Sequence, residues 1–251
     1  MSEEMTIESY LEQGGKLTNP ANVPPRYRAE LMKIMATFVD SELAGAAGFA
    51  DVINQGPGIK ERIAAAKIVL EKTDNADRVL RLLGEFGADT ARYANSHPWT
   101  ARLPRDATPG SRRSDHDMRL SVLNYPLAGW ADAVAMNLCM GLAVGVQLDE
   151  MQSLSYQPLA DAFRKIAPIE ARHVELAMEG LVKLRDQGQH DAVRDAIAYW
   201  HPRVAAIFGD IEQSRFAQLK AWGLRKHTNT QLQQTWKTNL NTAIKKIDIE
   251  I

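Results

Sequence analysis

In the stretch Ile166-Ala167-Pro168-Ile169-Glu170-Ala171-Arg172-His173, a carboxylate and an imidazole stand three residues apart. On a helix both side chains leave the same face one turn apart, where together they can hold one metal ion. The pattern constrains the fold because a metal so held needs ligands from other elements. In helix bundles that carry two metals, Glu-x-x-His comes from two helices and a lone carboxylate from each of two more. A single Glu-x-x-His is also an ordinary surface pair. The weight therefore falls on whether three more carboxylate-bearing helices lie in the right order.

The rest of the chain supplies candidates. Residues 1–25 form a short arm, because Pro20, Pro24 and Pro25 forbid a continuous helix. Apolar positions at helical spacing predict a first long helix over Tyr27–Asn54, with Glu42 beside Ala44, Gly45, Ala46 and Ala47. Gln55-Gly56-Pro57-Gly58 ends it, and a second helix follows over Ile59–Phe86 with Glu71 and Asp74 at i and i+3. Residues 95–122 read as a long polar crossover loop, functional or mobile. Pro126 suits the first turn of a third helix that carries Asp132 in apolar surroundings. The fourth spans Tyr156–Gln187 with Glu170 and His173, bent or restarted at Pro168. A fifth is expected over Asp191–Arg225, interrupted or kinked at Pro202, and Thr228-Asn229-Thr230 caps a last one. No strand alternation, repeat or Gly-rich phosphate loop occurs, so the expected class is all-α, in one domain over 1–251.

Composition narrows the function classes. A formal net charge of -1 gives no reason to expect nucleic acid or an anionic membrane as partner. The single cysteine, Cys139, excludes a disulfide within the chain and suits a reduced, cytoplasmic thiol. Met1-Ser2-Glu3-Glu4 is acidic and lacks the order of a signal peptide. The apolar run Leu127–Leu148 contains Asp132, Asn137 and Gln147, which suits a buried bundle helix better than a membrane span.

In chain order the acidic helices give Glu42; Glu71 and Asp74; Asp132; Glu170 and His173. That is the order of the ferritin-like di-iron carboxylate bundle, with residues 95–122 as its crossover. These six are the expected metal ligands. Carboxylates would bridge two iron ions, imidazole would fill a terminal position, and open positions would remain for dioxygen.

The sequence also resembles the catalytic subunit family of phenylacetyl-CoA 1,2-epoxidase, a ring oxygenase. The resemblance covers about residues 25–240. It rests on Asp40-Ser41-Glu42, Asn124-Tyr125-Pro126 with Trp130-Ala131-Asp132, Ser155-Tyr156, and Glu170-Ala171-Arg172-His173. Tyr199-Trp200-His201-Pro202, Phe208-Gly209 and Lys226-His227-Thr228-Asn229 extend it. It implies a cytoplasmic monooxygenase with a di-iron centre that oxidises an aryl- or acyl-CoA thioester, assisted by a second ferritin-like subunit and a reductase. A homodimer or hetero-oligomer is expected. Arg112 and Arg113 would suit the CoA phosphates. Two departures stand out: Asp74 where the family has histidine, and no counterpart of the family's C-terminal extension. With Asp74 the site would hold five carboxylates and one imidazole, which could favour manganese or a single ion.

Each residue also has a plainer reading. Glu71 and Asp74 lie near Lys67, Lys72 and Arg78 and could form a solvated ion-pair face. Asp132 could pair with a buried arginine or cap a helix, and His173 could be a core histidine bonded to Glu42 or Asp132. If lysine or arginine neutralises the acidic cluster in the core, the chain is instead a non-catalytic ferritin-like scaffold or regulatory subunit with a degenerate metal site.

Overall fold

The computed structural model describes residues 6–249; the acidic start at Met1–Glu4 lies outside them. In chain order the helices are α1 (Ile7–Glu12), α2 (Pro25–Val52), α3 (Ile59–Glu85) and α4 (Thr90–Tyr93). They continue as α5 (Trp130–Met151), α6 (Gln157–Asp186), α7 (His190–Ala205), α8 (Gln213–Ala221) and α9 (Asn229–Ile247). Among the described residues there is no strand, only an isolated bridge between Leu17 and Tyr156. The all-α class holds.

Four long helices make the bundle. Proline at the first helical position of α2 leaves an N–H missing where no intrahelical partner exists. The helix then buries Tyr27, Leu31, Met35, Val39, Glu42, Ala46 and Phe49 at steps of three and four. The Gly56-Pro57-Gly58 turn reverses the chain, and α3 packs along α2. α5 and α6 form the second hairpin, and α3 lies against α6. α7 and α9 cover the far side of α5, so α5 is buried nearly all round. α5 is long and apolar enough to cross a membrane, but 72% of its most apolar window is buried inside the fold. Each large aliphatic side chain buried this way contributes roughly 1.5–3 kcal/mol.

Three boundaries differ from the sequence reading. α5 begins at Trp130 and not near Pro126, because Gly129 takes φ 138°, a conformation that an L side chain resists. Pro168 lies inside an uninterrupted α6. The expected fifth helix is two, and Pro202 sits within α7. The break falls instead at Phe208-Gly209, where buried Phe208 packs on Trp236 at 5.8 Å and its carbonyl accepts from the Asn229 side chain. α9 starts as expected at Thr228, in a reciprocal capping box with Gln231.

The crossover is fastened to α2. Asp40 accepts from the Met118 amide at 2.6 Å and from the Tyr93 hydroxyl at 2.6 Å. Ser41 Oγ accepts from the Leu120 amide at 3.0 Å. Arg119, fully buried, pairs with Asp117 at 3.1 Å and reaches the carbonyls of Pro98, Trp99 and Ala101. This part of the loop is therefore structural.

Removing the Asp40 carboxylate leaves two donors at a largely buried site without partners. Asp40→Ala is expected to lower the unfolding free energy by about 3 kcal/mol. A urea titration checks this; loss of under about 1 kcal/mol would mean that water replaces the carboxylate.

Candidate functional site

Glu42 and Glu170 do face one another across the bundle interior, but Lys72 stands between them. Its Nζ donates to Glu42 Oε1 at 3.1 Å and to Glu170 Oε1 and Oε2 at 3.2 and 3.1 Å. Asn75 Nδ2 adds a bond to Glu170 Oε1 at 3.2 Å and a longer one to Glu42 Oε2 at 3.4 Å. All four side chains are buried. The local cause is the register of α3. Ile68, Lys72, Asn75, Ala76, Val79 and Leu83 form its inward face, with Lys72 and Asn75 in the middle of an otherwise apolar row. Gly45 on α2 leaves room for the lysine stem; a Cβ there would touch Lys72 Cδ at 3.4 Å.

The remaining expected ligands are dispersed. Glu71 lies one position round the helix, partly exposed, with its carboxylate 2.8 Å from His173 Nε2 and accepting from it in the tautomer that carries the proton there. His173 Nδ1 stands 3.4 Å from Glu170 Oε1 and makes no hydrogen bond. Asp74 is exposed. Asp132 binds Arg105 through both oxygens at 2.6 and 3.0 Å, the Trp200 indole at 3.0 Å and the Ala128 amide at 2.8 Å. Its carboxylate anchors the start of α5, and Arg105 stacks on Tyr199 with 3.7 Å to the ring centroid. Arg112 and Arg113 are exposed and do not line the cavity beside the cluster.

The residues present do not fit a two-metal centre. Among the described residues no group of three or more His, Cys, Asp or Glu side chains is placed to hold a metal ion. An ammonium about 3.1 Å from both carboxylates supplies the charge that a cation would bring and repels a second one. The expected iron ligands Glu42 and Glu170 are instead partners of Lys72, Glu71 and His173 are partners of each other, and Asp74 and Asp132 face elsewhere. On α3 the pair directed at the carboxylates is Lys72 and Asn75, which sequence reasoning passed over for its acidic neighbours one residue away.

The electrostatics follow from two carboxylates sharing one cation. Burial, reinforced by the Glu170 charge, pushes the Glu42 carboxyl up to about 8 against the pull of Lys72 and Asn75. Burial also opposes ionisation of Glu170, but the Lys72 charge and the His173 contact outweigh it and hold this carboxyl at about 2. Lys72 is desolvated, yet Glu170 and Glu42 raise its pKa above the ordinary lysine value. The pair thus resists holding two negative charges beside one ammonium, and Glu42 is the carboxyl more readily protonated.

A cavity of about 400 Å³ adjoins this cluster. Phe49, Leu123, Met136 and Met140 give it apolar walls. The charged residues Glu30, Lys33 and Arg215 line it elsewhere, with Arg215 paired to Glu30 at 2.9 Å.

The raised Glu42 carboxyl makes stability pH-dependent with a definite sign. A carboxyl protonated more readily in the folded than in the unfolded chain favours folding at low pH. That contribution is lost as pH rises from about 4.5 through about 8. Urea titrations at successive pH values should show wild type losing on the order of a few kcal/mol across this window. Glu42→Gln, which mimics the protonated form, should remove that slope; a slope that persists assigns it to another group.

Comparison with protein families places residues 5–251 under the model described as phenylacetic acid catabolic protein. Comparison with curated proteins gave no match.

Proposed function

The chain belongs to the phenylacetic acid catabolic protein family, and from that premise we propose that it is a non-catalytic, ferritin-like subunit of a multicomponent phenylacetate-catabolic system. Its role is structural or regulatory, beside a catalytic ferritin-like subunit that acts on the aryl-CoA thioester and is served by a reductase. The observation that carries this reading is Lys72 Nζ bound to both Glu42 and Glu170. An ammonium tied to the two carboxylates balances their charge internally, so the bundle needs no metal to hold its acidic core together. Asn75 reinforces the arrangement by filling, with an amide, the position one turn on from the lysine.

The reading explains why some of the family-like residues persist without forming a metal site. Glu42, Glu170 and His173 still face the interior, but as partners of Lys72 and Glu71 they hold α2, α3 and α6 together. Breaking a buried ion pair by removing one partner typically costs about 3–5 kcal/mol, because the other charge stays behind. Selection for stability alone would retain the set.

The test is elemental analysis of protein expressed in medium supplemented with iron and manganese. Wild type is expected to carry far less than one equivalent of either metal and to melt at the same temperature with and without a chelator. Lys72→Ala should melt markedly lower. About two equivalents of iron or manganese per chain, lost in a Glu170→Ala, His173→Ala variant, would overturn the proposal.

A further inference from the structure

The large apolar side chains that stand exposed among the described residues are Tyr10, Ile59, Ile63 and Leu70, the last three 77, 62 and 61% accessible. Those three belong to α3, with Ala66 exposed between them. At 100° per residue they fall on one stripe that faces away from α2 and α6. Three such side chains within three turns form a continuous patch, unlike the scattered apolar residues of an ordinary surface.

The charges along the stripe are ordered. Lys60 lies at its N-terminal end and Asp74 at its C-terminal end, on the same flank, and neither has an ion-pair or hydrogen-bond partner among the described residues. Their neighbours are occupied: Glu61 by Lys183, Lys67 by Glu71 at 3.5 Å, and Asp77 by Arg81 at 2.6 Å.

We propose that this face of α3 binds a second copy of the chain, the two α3 helices running antiparallel about a two-fold axis near Ala66 and Lys67. A perpendicular two-fold axis keeps each flank on its own side and reverses the order along the helix. Ile63 of one copy then meets Leu70 of the other, and Lys60 comes level with Asp74 of the second copy, twice by symmetry. A parallel pairing, about an axis along the helices, would bring Lys60 level with Lys60 and Asp74 level with Asp74 on opposite flanks and would form no such pair. Lys67 lies near the axis, where its intrachain partner Glu71 offsets the approach of its symmetry mate. The charge order favours a self-complementary partner over a generic apolar one. The proposal does not depend on whether the chain is catalytic.

Sedimentation velocity and size exclusion with light scattering test it on the full chain. Wild type is expected to be a dimer, and Leu70→Glu a monomer that keeps the helical circular dichroism spectrum of the wild type and melts at a temperature independent of its concentration. Lys60→Asp and Asp74→Lys should each weaken dimerisation about tenfold, through two exposed pairs turned repulsive. Combining the two reversals should restore it. Lys60→Cys with Asp74→Cys should give, on mild oxidation, a covalent dimer whose disulfide joins position 60 of one copy to position 74 of the other on peptide mapping, a link open only to the antiparallel arrangement. The proposal is overturned by a monomeric wild type, by a dimer that survives Leu70→Glu, or by failure of the double reversal to rescue. A patch that engages only a different protein or a lipid surface would appear as the first of these.

Discussion

The interior of this bundle is acidic, and one ammonium makes it tenable. Two carboxylates buried face to face would repel each other and forfeit their hydration, a cost of several kcal/mol per ion. Lys72 removes most of that cost with three hydrogen bonds, one to Glu42 and two to Glu170. Burial and the Glu170 charge favour the protonated form of Glu42, which lessens the remainder. The packing of α3 between α2 and α6 therefore hangs on a polar group in the middle of an apolar face.

The two ends of the bundle are secured by different means. Around α5, α7 and α9 the core is conventional, with Trp200 and Trp236 fully buried and each indole N–H bonded, to Asp132 and to the Cys139 carbonyl. At the other end Tyr27, Ser155 and the Trp222 carbonyl form a buried polar chain under α8. Asp132, Arg105 and Tyr199 belong to the first group: they bind a crossover segment to the start of α5. An acidic residue in an apolar helix thus proves to be a structural anchor with four donors around it.

Most of the fold is legible in the sequence, because α2, α3, α6 and α9 carry long apolar rows at helical spacing and clear start or stop signals. The errors fall where backbone conformation outweighs residue type. Pro126 offers a helix start, but Gly129 at φ 138° sets the real one, and the turn at Phe208-Gly209 divides what periodicity joins across Pro202. The site was half legible. Glu42, Glu170 and His173 were identifiable as inward-facing, but the register of α3 misled, since Glu71 and Asp74 are the residue types that chemistry suggests. The correcting signal lay in the same helix: Ile68, Val79 and Leu83 define the buried row, and Lys72 and Asn75 fall on it while Asp74 does not. No pattern in one sequence shows that Asp132 and Arg105, 27 residues apart, will meet.

A tethered counter-charge behaves differently from a bound one. The stability that a metal ion lends to its site grows with the logarithm of its free concentration and vanishes when the supply fails. A lysine on α3 is present at the same effective concentration in every molecule, whatever the surroundings hold. The stability that Lys72 lends to the bundle is thereby independent of metal supply and of the oxidation state of any ion.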